Sequence, residues 1–212
     1  MQQFHKDTFS KITDSKRDRI ITTAIKQFAE QGYTATNINH IAKQAGISIG
    51  SLYSYFNSKE DLFLAMVEIG VQLLNDAVAE LEAFEGSFSD TLERLLELTV
   101  RYTKEHPDLT KLYLNLSTEE LAPLSERLTE RIEISFHGFY ETILKRAQDK
   151  GEIPPETDIA QAAYFIDNQV MMLQFSLSTR YYAQRLKKYL GEIDQSVLLA
   201  NLKQSILRSF DG

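Results

Sequence analysis

Ile49, Gly50, Ser51, Tyr53 and Tyr55 form a run of small residues and tyrosines without one acidic side chain. Such a face suits close approach to a phosphate-lined surface, because hydroxyls can donate to phosphate oxygens and glycine leaves room for a neighbouring backbone. The elements that must position it are written in the flanking residues. Thr36 or Asn37 can cap a short helix whose apolar positions Ile38, Ile41, Ala42 and Ala45 recur at helical spacing. Gly46 ends that helix, since glycine tolerates the left-handed backbone of a tight exit. Ile47 is placed to anchor the turn and Ser48 to cap a second helix, Ile49 to Phe56. On it Leu52 and Phe56 point inward at i,i+4, leaving Ile49, Gly50, Ser51, Tyr53 and Tyr55 outward or lateral. Ser58 with Asp61 makes a capping-box-like start for a long third helix. Two short helices around a glycine turn are how a protein presents one helix to a groove of DNA.

Catalytic chemistry has no comparable foothold. The four histidines, His5, His40, His106 and His137, show no metal-binding spacing. Nucleophile elbow, P-loop and dinucleotide fingerprint are all missing, and carboxylate pairs such as Glu119-Glu120 are common on helix surfaces. No enzyme, metal or cofactor is expected. Without cysteine, disulfides and thiol catalysis are excluded. The polar N-terminus lacks a secretory apolar region, and no apolar run approaches the roughly 18 residues of a membrane span. The expectation is a soluble, cytoplasmic protein with no membrane partner.

A net charge of −7 looks wrong for a DNA binder until it is divided along the chain. Residues 1–60 carry eight Lys/Arg against five Asp/Glu, whereas residues 61–212 carry fifteen against twenty-five. A basic head would be drawn to phosphates while the acidic body is repelled.

With the preceding helix SKRDRIITTAIKQFAEQGY, the segment resembles the N-terminal domain of the TetR/AcrR family of bacterial transcriptional regulators. The matching residues include Arg19, Ile20, Ala24, Phe28, Gly32, Tyr33, Ile41, Ala42, Ala45, Gly46, Gly50, Leu52, Tyr53, Tyr55, Phe56, Ser58, Lys59, Asp61 and Leu62. They cover about a quarter of the chain. By position in the family motif, the resemblance assigns Thr36, Asn39, Ser48, Ile49, Gly50, Ser51, Tyr53, Tyr55 and Lys59 to DNA. Thr36, Ser48, Tyr53, Tyr55 and Lys59 suit phosphates through hydroxyl or ammonium; Asn39, Ser51 and Ile49, the last against a thymine methyl, suit base edges. Lys16, Arg17 and Arg19 could add phosphate contacts or be solvated surface charges. The second helix has no Arg, Lys, Gln or Asn, so bidentate base reading is nearly absent and DNA shape gains weight.

Beyond this head the pattern is helical throughout: an all-α chain of about nine helices, with a three-helix DNA-binding domain at 14–74 and a helical effector-binding and dimerisation domain at 75–212. The stretch from Asp158 to Leu190 reads as one helix with two apolar stripes, Ile159, Ala163, Ile166, Val170, Leu173 and Leu177 beside Ala162, Phe165, Gln169, Met172 and Ser176. Burial on two sides fits either ordinary monomer core or a partner; the family resemblance implies a homodimer through helices 158–190 and 196–210, reading a near-palindromic double-stranded operator. Candidates for a small-molecule effector pocket are Tyr102, Tyr113, Phe136, His137, Tyr140, Phe165, Gln169 and Met172, with His137 facing Glu133 at i,i+4. The same aromatics and methionines also describe an ordinary helical core. The family resemblance implies a repressor released by a hydrophobic or amphipathic effector. A helical protein–protein adaptor that keeps an unused head is the alternative.

Overall fold

The computed structural model describes residues 4–116 and 118–210; the side chains at 77, 120 and 128–136 lie outside the description. Among the described residues the chain is all helical: α1 (Asp7–Ser10), α2 (Asp14–Ala35), α3 (Ile38–Gln44), α4 (Ile49–Tyr55), α5 (Lys59–Glu82), α6 (Phe88–Glu105), α7 (Pro107–Leu116), a 3-10 turn (Glu119–Leu121), α8 (Ala122–Asp149), α9 (Ile159–Ser178), α10 (Arg180–Leu190) and α11 (Gln195–Arg208). Twelve helical elements replace the nine expected. The additions are α1, the 3-10 turn, and a break at Thr179 that splits the helix expected from Asp158 to Leu190. No proline or glycine marks that break. Ser176, Ser178 and Thr179 each turn the hydroxyl back onto the carbonyl four residues earlier, at 2.8, 2.8 and 2.9 Å. Such back-bonding competes with the helical ladder, and Thr179 adopts extended angles. Gly32 (φ 75°) similarly bends α2 just before its end.

The chain divides into two compact units, Met1–Gln72 with Asp108–Thr129 and Leu73–Pro107 with Glu130–Gly212. Compactness therefore groups α7 and the start of α8 with the head, whereas the expected division at 74/75 follows chain order. In the first unit Ile20, Ala24 and Phe28 of α2, Ile41 and Ala42 of α3, Leu52 of α4 and Leu62 to Val67 of α5 are buried. The Phe28 and Phe63 rings meet edge-on at 5.1 Å, and Arg127 pairs with Glu60. In the second unit Leu92, Leu96, Phe139, Leu144, Ile166 and Ile206 belong to one core contributed by α6, α8, α9 and α11. Ser87 and Asp90 form a reciprocal capping box, so α6 starts at Phe88, three residues before the expected Thr91.

One compositional expectation needs correcting. α5 is long and apolar enough to cross a membrane, with a mean hydropathy of 1.6 over its best 18-residue window. The stretch from Leu62 to Val67 is, however, buried against protein, which is what a core helix requires.

Candidate nucleic-acid interface

The turn between α3 and α4 is built from two local devices. The N–H of Ile47 bonds to Ala42 O at 3.0 Å and that of Gly46 to Lys43 O at 3.2 Å, with Gly46 at φ 67°. These are the two bonds of a Schellman exit, and only glycine takes that backbone without strain. Ser48 Oγ then accepts the Ser51 N–H at 3.0 Å and starts α4. At the head of α3 the cap is Asn37, whose side chain accepts the Asn39 N–H at 2.9 Å.

On this frame Asn39, Ser48, Gly50 and Tyr53 are exposed, and Ile49 and Ser51 half-buried, on the outer side of the two helices. Tyr53 stands out at 47% exposure. The Ser51 hydroxyl lies 2.9 Å from Ser48 Oγ. A Cβ added at Gly50 would meet nothing nearer than Ser48 Oγ at 3.9 Å, so nothing inside the chain demands glycine there.

Two expected contacts fall elsewhere. Thr36 is buried, and its hydroxyl donates to Gly32 O at 2.6 Å and Gln27 O at 3.2 Å, tying the bent end of α2 rather than facing outward. Tyr55 is buried beside Phe9, with its phenol oxygen accepting Lys16 Nζ at 2.8 Å. The clue was available: Leu52, Tyr55 and Phe56 stand at i, i+3 and i+4 on one face. Lys59 is half-buried; its ammonium donates to Thr34 O at 3.0 Å and lies 4.8 Å from the Tyr33 ring centre. Burial holds that ammonium below the ordinary lysine range, and burial with the Glu60 charge raises the Tyr33 phenol. Arg17 pairs with Asp14 at 2.8 Å and donates to Ser10 O and Ile12 O, which makes it a loop tie; Arg19 is exposed. The residues before α2, whose role the sequence alone leaves open, bond to the end of α4. Lys6 Nζ donates to Tyr53 O at 2.8 Å, and Lys6 N–H to Tyr55 O at 2.8 Å.

The expected effector residues are divided between the two compact units. Tyr113 belongs to the first compact unit and Tyr102 to the second, and the Phe136 side chain lies outside the described residues. Tyr102 and Tyr140 are buried: burial pushes the Tyr102 phenol up to about 12, and burial with the adjacent Asp167 raises Tyr140 well above the ordinary range. His137 is exposed and faces Glu141 at 3.5 Å; the Glu133 side chain, its expected partner, lies outside the described residues. Phe165 and Met172 are more than a third exposed on α9 with Gln169 half-buried between them. That stripe is an outer face of the unit, not a wall of its interior. On α5, Asn75 Oδ1 is buried with no hydrogen-bond partner among the described residues, a polar group the sequence reading passed over.

Residues 20–66 match the sequence model of the family described as bacterial regulatory proteins, tetR family. The chain is 29% identical over 188 residues to YezE, an uncharacterized HTH-type transcriptional regulator of Bacillus subtilis, covering 84% of this chain and 94% of that one. Among solved structures, the transcriptional regulator FadR of Bacillus subtilis in complex with stearoyl-CoA superposes with a TM-score of 0.71 at 22% identity, covering 91% of this chain and 96% of that one. The fatty acid degradation regulator FadR of Bacillus halodurans gives 0.72 at 21%, covering 93% and 96%. The segment that reads as a helix-turn-helix thus matches the DNA-binding domain of the TetR family, and the chain that carries it is similar over most of its length to an HTH-type transcriptional regulator.

Proposed function

We propose that this regulator is a cytoplasmic homodimeric repressor that reads a near-palindromic operator and leaves it when a hydrophobic or amphipathic effector binds. The observation that carries the reading is the outer side of α4: capped at Ser48, free of charged residues, and holding at Gly50 a glycine its own fold does not need. In this reading residues 14–74 bind DNA, and 75–212 bind effector and partner. Asn39, Ser51 and Ile49 meet base edges; Ser48, Tyr53 and Lys59 meet phosphates; Gly50 lets the two backbones approach. Tyr55 and Thr36 act from behind, as supports.

A dimer would set two copies of α4 about one duplex turn, roughly 34 Å, apart. Exposed Tyr164, Phe165 and Met172 on α9, Tyr181, Tyr189 and Leu190 on α10 and Val197 on α11 support an interface across the stretches 158–190 and 196–210. The effector binds within 75–212, where the unsatisfied Asn75 Oδ1 offers an acceptor to a hydroxyl or amide donor. An acyl compound of the kind that the Bacillus subtilis FadR takes as stearoyl-CoA fits this description. α5 runs from the head into the second unit, so a ligand that favours one setting of α5 changes how the heads are presented. A differential affinity of about 1–3 kcal/mol lowers operator affinity roughly 5–150-fold.

The test is selection from random duplex DNA by the full chain at near-physiological salt. The expected winner is a near-palindrome with half-sites about one turn apart. Recovery of no consensus contradicts the repressor and favours a helical adaptor with an unused head.

A further inference from the structure

The last turn of a helix leaves carbonyls without an intrahelical donor, and in the seven residues of α4 these are a large share of the helix. Three consecutive ones are taken by the segment before α2. Lys6 Nζ donates to Tyr53 O at 2.8 Å, Thr8 Oγ1 donates to Ser54 O, and Lys6 N–H donates to Tyr55 O at 2.8 Å. The partners stand 46 to 49 residues apart, so this is a tertiary clamp and not a local turn. Apolar contacts seat it: Phe9 is buried with its ring 4.8 Å from Phe56 and 5.8 Å from Tyr55, and Phe4 is buried beneath the Arg127 guanidinium. Arg17 ties the end of the segment to α2 through Ser10 O and Ile12 O.

We propose that residues 4–10 are a positioning brace for the DNA-reading helix, with Lys6 and Thr8 as its two grips. The proposal rests on the reading of α4 given above. A helix of this length does not hold itself in water and must be fixed from outside. Ser48 fixes its first turn; the brace fixes its last. The Lys6 ammonium also sets a positive charge at the negative end of the α4 dipole. Base-edge contacts need the helix in one orientation, whereas phosphate attraction tolerates several. The brace therefore governs discrimination between operator and random DNA more than attraction to DNA. Neither grip need touch the duplex.

The experiment compares the full-length wild type with the double variant Lys6→Met, Thr8→Val and with the conservative pair Lys6→Arg, Thr8→Ser. Affinities for the selected operator and for a random duplex are measured across salt concentrations, alongside thermal unfolding. Thr8 is exposed and Lys6 half-buried, so the variants keep the core. The brace predicts about a tenfold loss of operator affinity in the first variant, from lost bonds to the carbonyls. Random-duplex affinity then falls less than about twofold, the salt slope is unchanged, and the conservative pair restores the operator value. Equal losses on both duplexes with a salt slope reduced by about one would make Lys6 a direct phosphate contact and overturn the brace. So would unchanged operator affinity. A wild type that does not discriminate operator from random DNA overturns the reading of α4 itself, a result visible without any variant.

Discussion

α4 and α10 are both short helices at the surface, and they are opposites. α4 carries no charged side chain, buries Leu52 and Tyr55, and is gripped by Ser48 at one end and by Lys6 and Thr8 at the other. α10 carries Arg180, Arg185, Lys187 and Lys188 with no acidic residue, buries nothing, and offers Tyr182 to Phe175 at 5.6 Å as a foothold. By charge alone α10 would be the nucleic-acid helix. The family match instead falls on α4. The contrast teaches that attraction to phosphate is widely available on a surface, whereas reading a base sequence needs a helix that is held. An amphipathic helix with an uncovered aromatic face suits a partner protein better than a groove.

The largest expected difference is in stability. Leu52→Ala removes a fully buried side chain and should cost about 2–5 kcal/mol in denaturant unfolding, whereas Leu190→Ala, half exposed on α10, should stay within about 0.5 kcal/mol. A larger, concentration-dependent effect at Leu190 would sharpen the comparison by placing α10 in the dimer interface.

Next comes alkaline pH, which tests the burial of Tyr102. Tyr102 is neutral in the fold up to about 12 but ionises near 10 once unfolded, so its contribution is complete below pH 10 and fades as pH climbs towards 12. The decline attributable to it is roughly 3 kcal/mol. Tyr102→Phe should flatten that part of the unfolding profile. An unchanged profile in that variant would contradict the buried state of Tyr102.

The smallest expected effect concerns binding. Tyr53→Phe should weaken operator and random DNA alike by about tenfold, because a hydroxyl bond to a charged phosphate is lost from both. A change of base preference at constant affinity would show that Tyr53 reads bases.

The α3–α4 hairpin was legible because its instructions are local: Gly46 for the exit, Asn37 and Ser48 for the caps, and the Leu52/Phe56 spacing for the inner face. The same periodicity would have put Tyr55 inside, had its hydroxyl not matched a phosphate role equally well. Thr36 carried no such signal, since a threonine before a cap can face either way. The brace could not be read, because Lys6 and Tyr53 are 47 residues apart and no pattern links them. The break at Thr179 escaped because it lacks glycine and proline and arises from hydroxyls in a run, SLST, that otherwise reads as helix. The expected effector set mixed core residues such as Tyr140 with surface ones such as Phe165 for a related reason. Aromatic side chains at helical spacing look alike in sequence whether they fill a core or await a partner.

The most direct test of the central claim is Gly50→Ala, followed by unfolding and operator binding on the same sample. Open space around the added Cβ predicts unchanged stability or a gain of up to about 1 kcal/mol, and close approach of DNA predicts at least a tenfold loss of operator affinity. Full operator affinity in a well-folded Gly50→Ala protein would mean that α4 does not come close to DNA, and the account would fail.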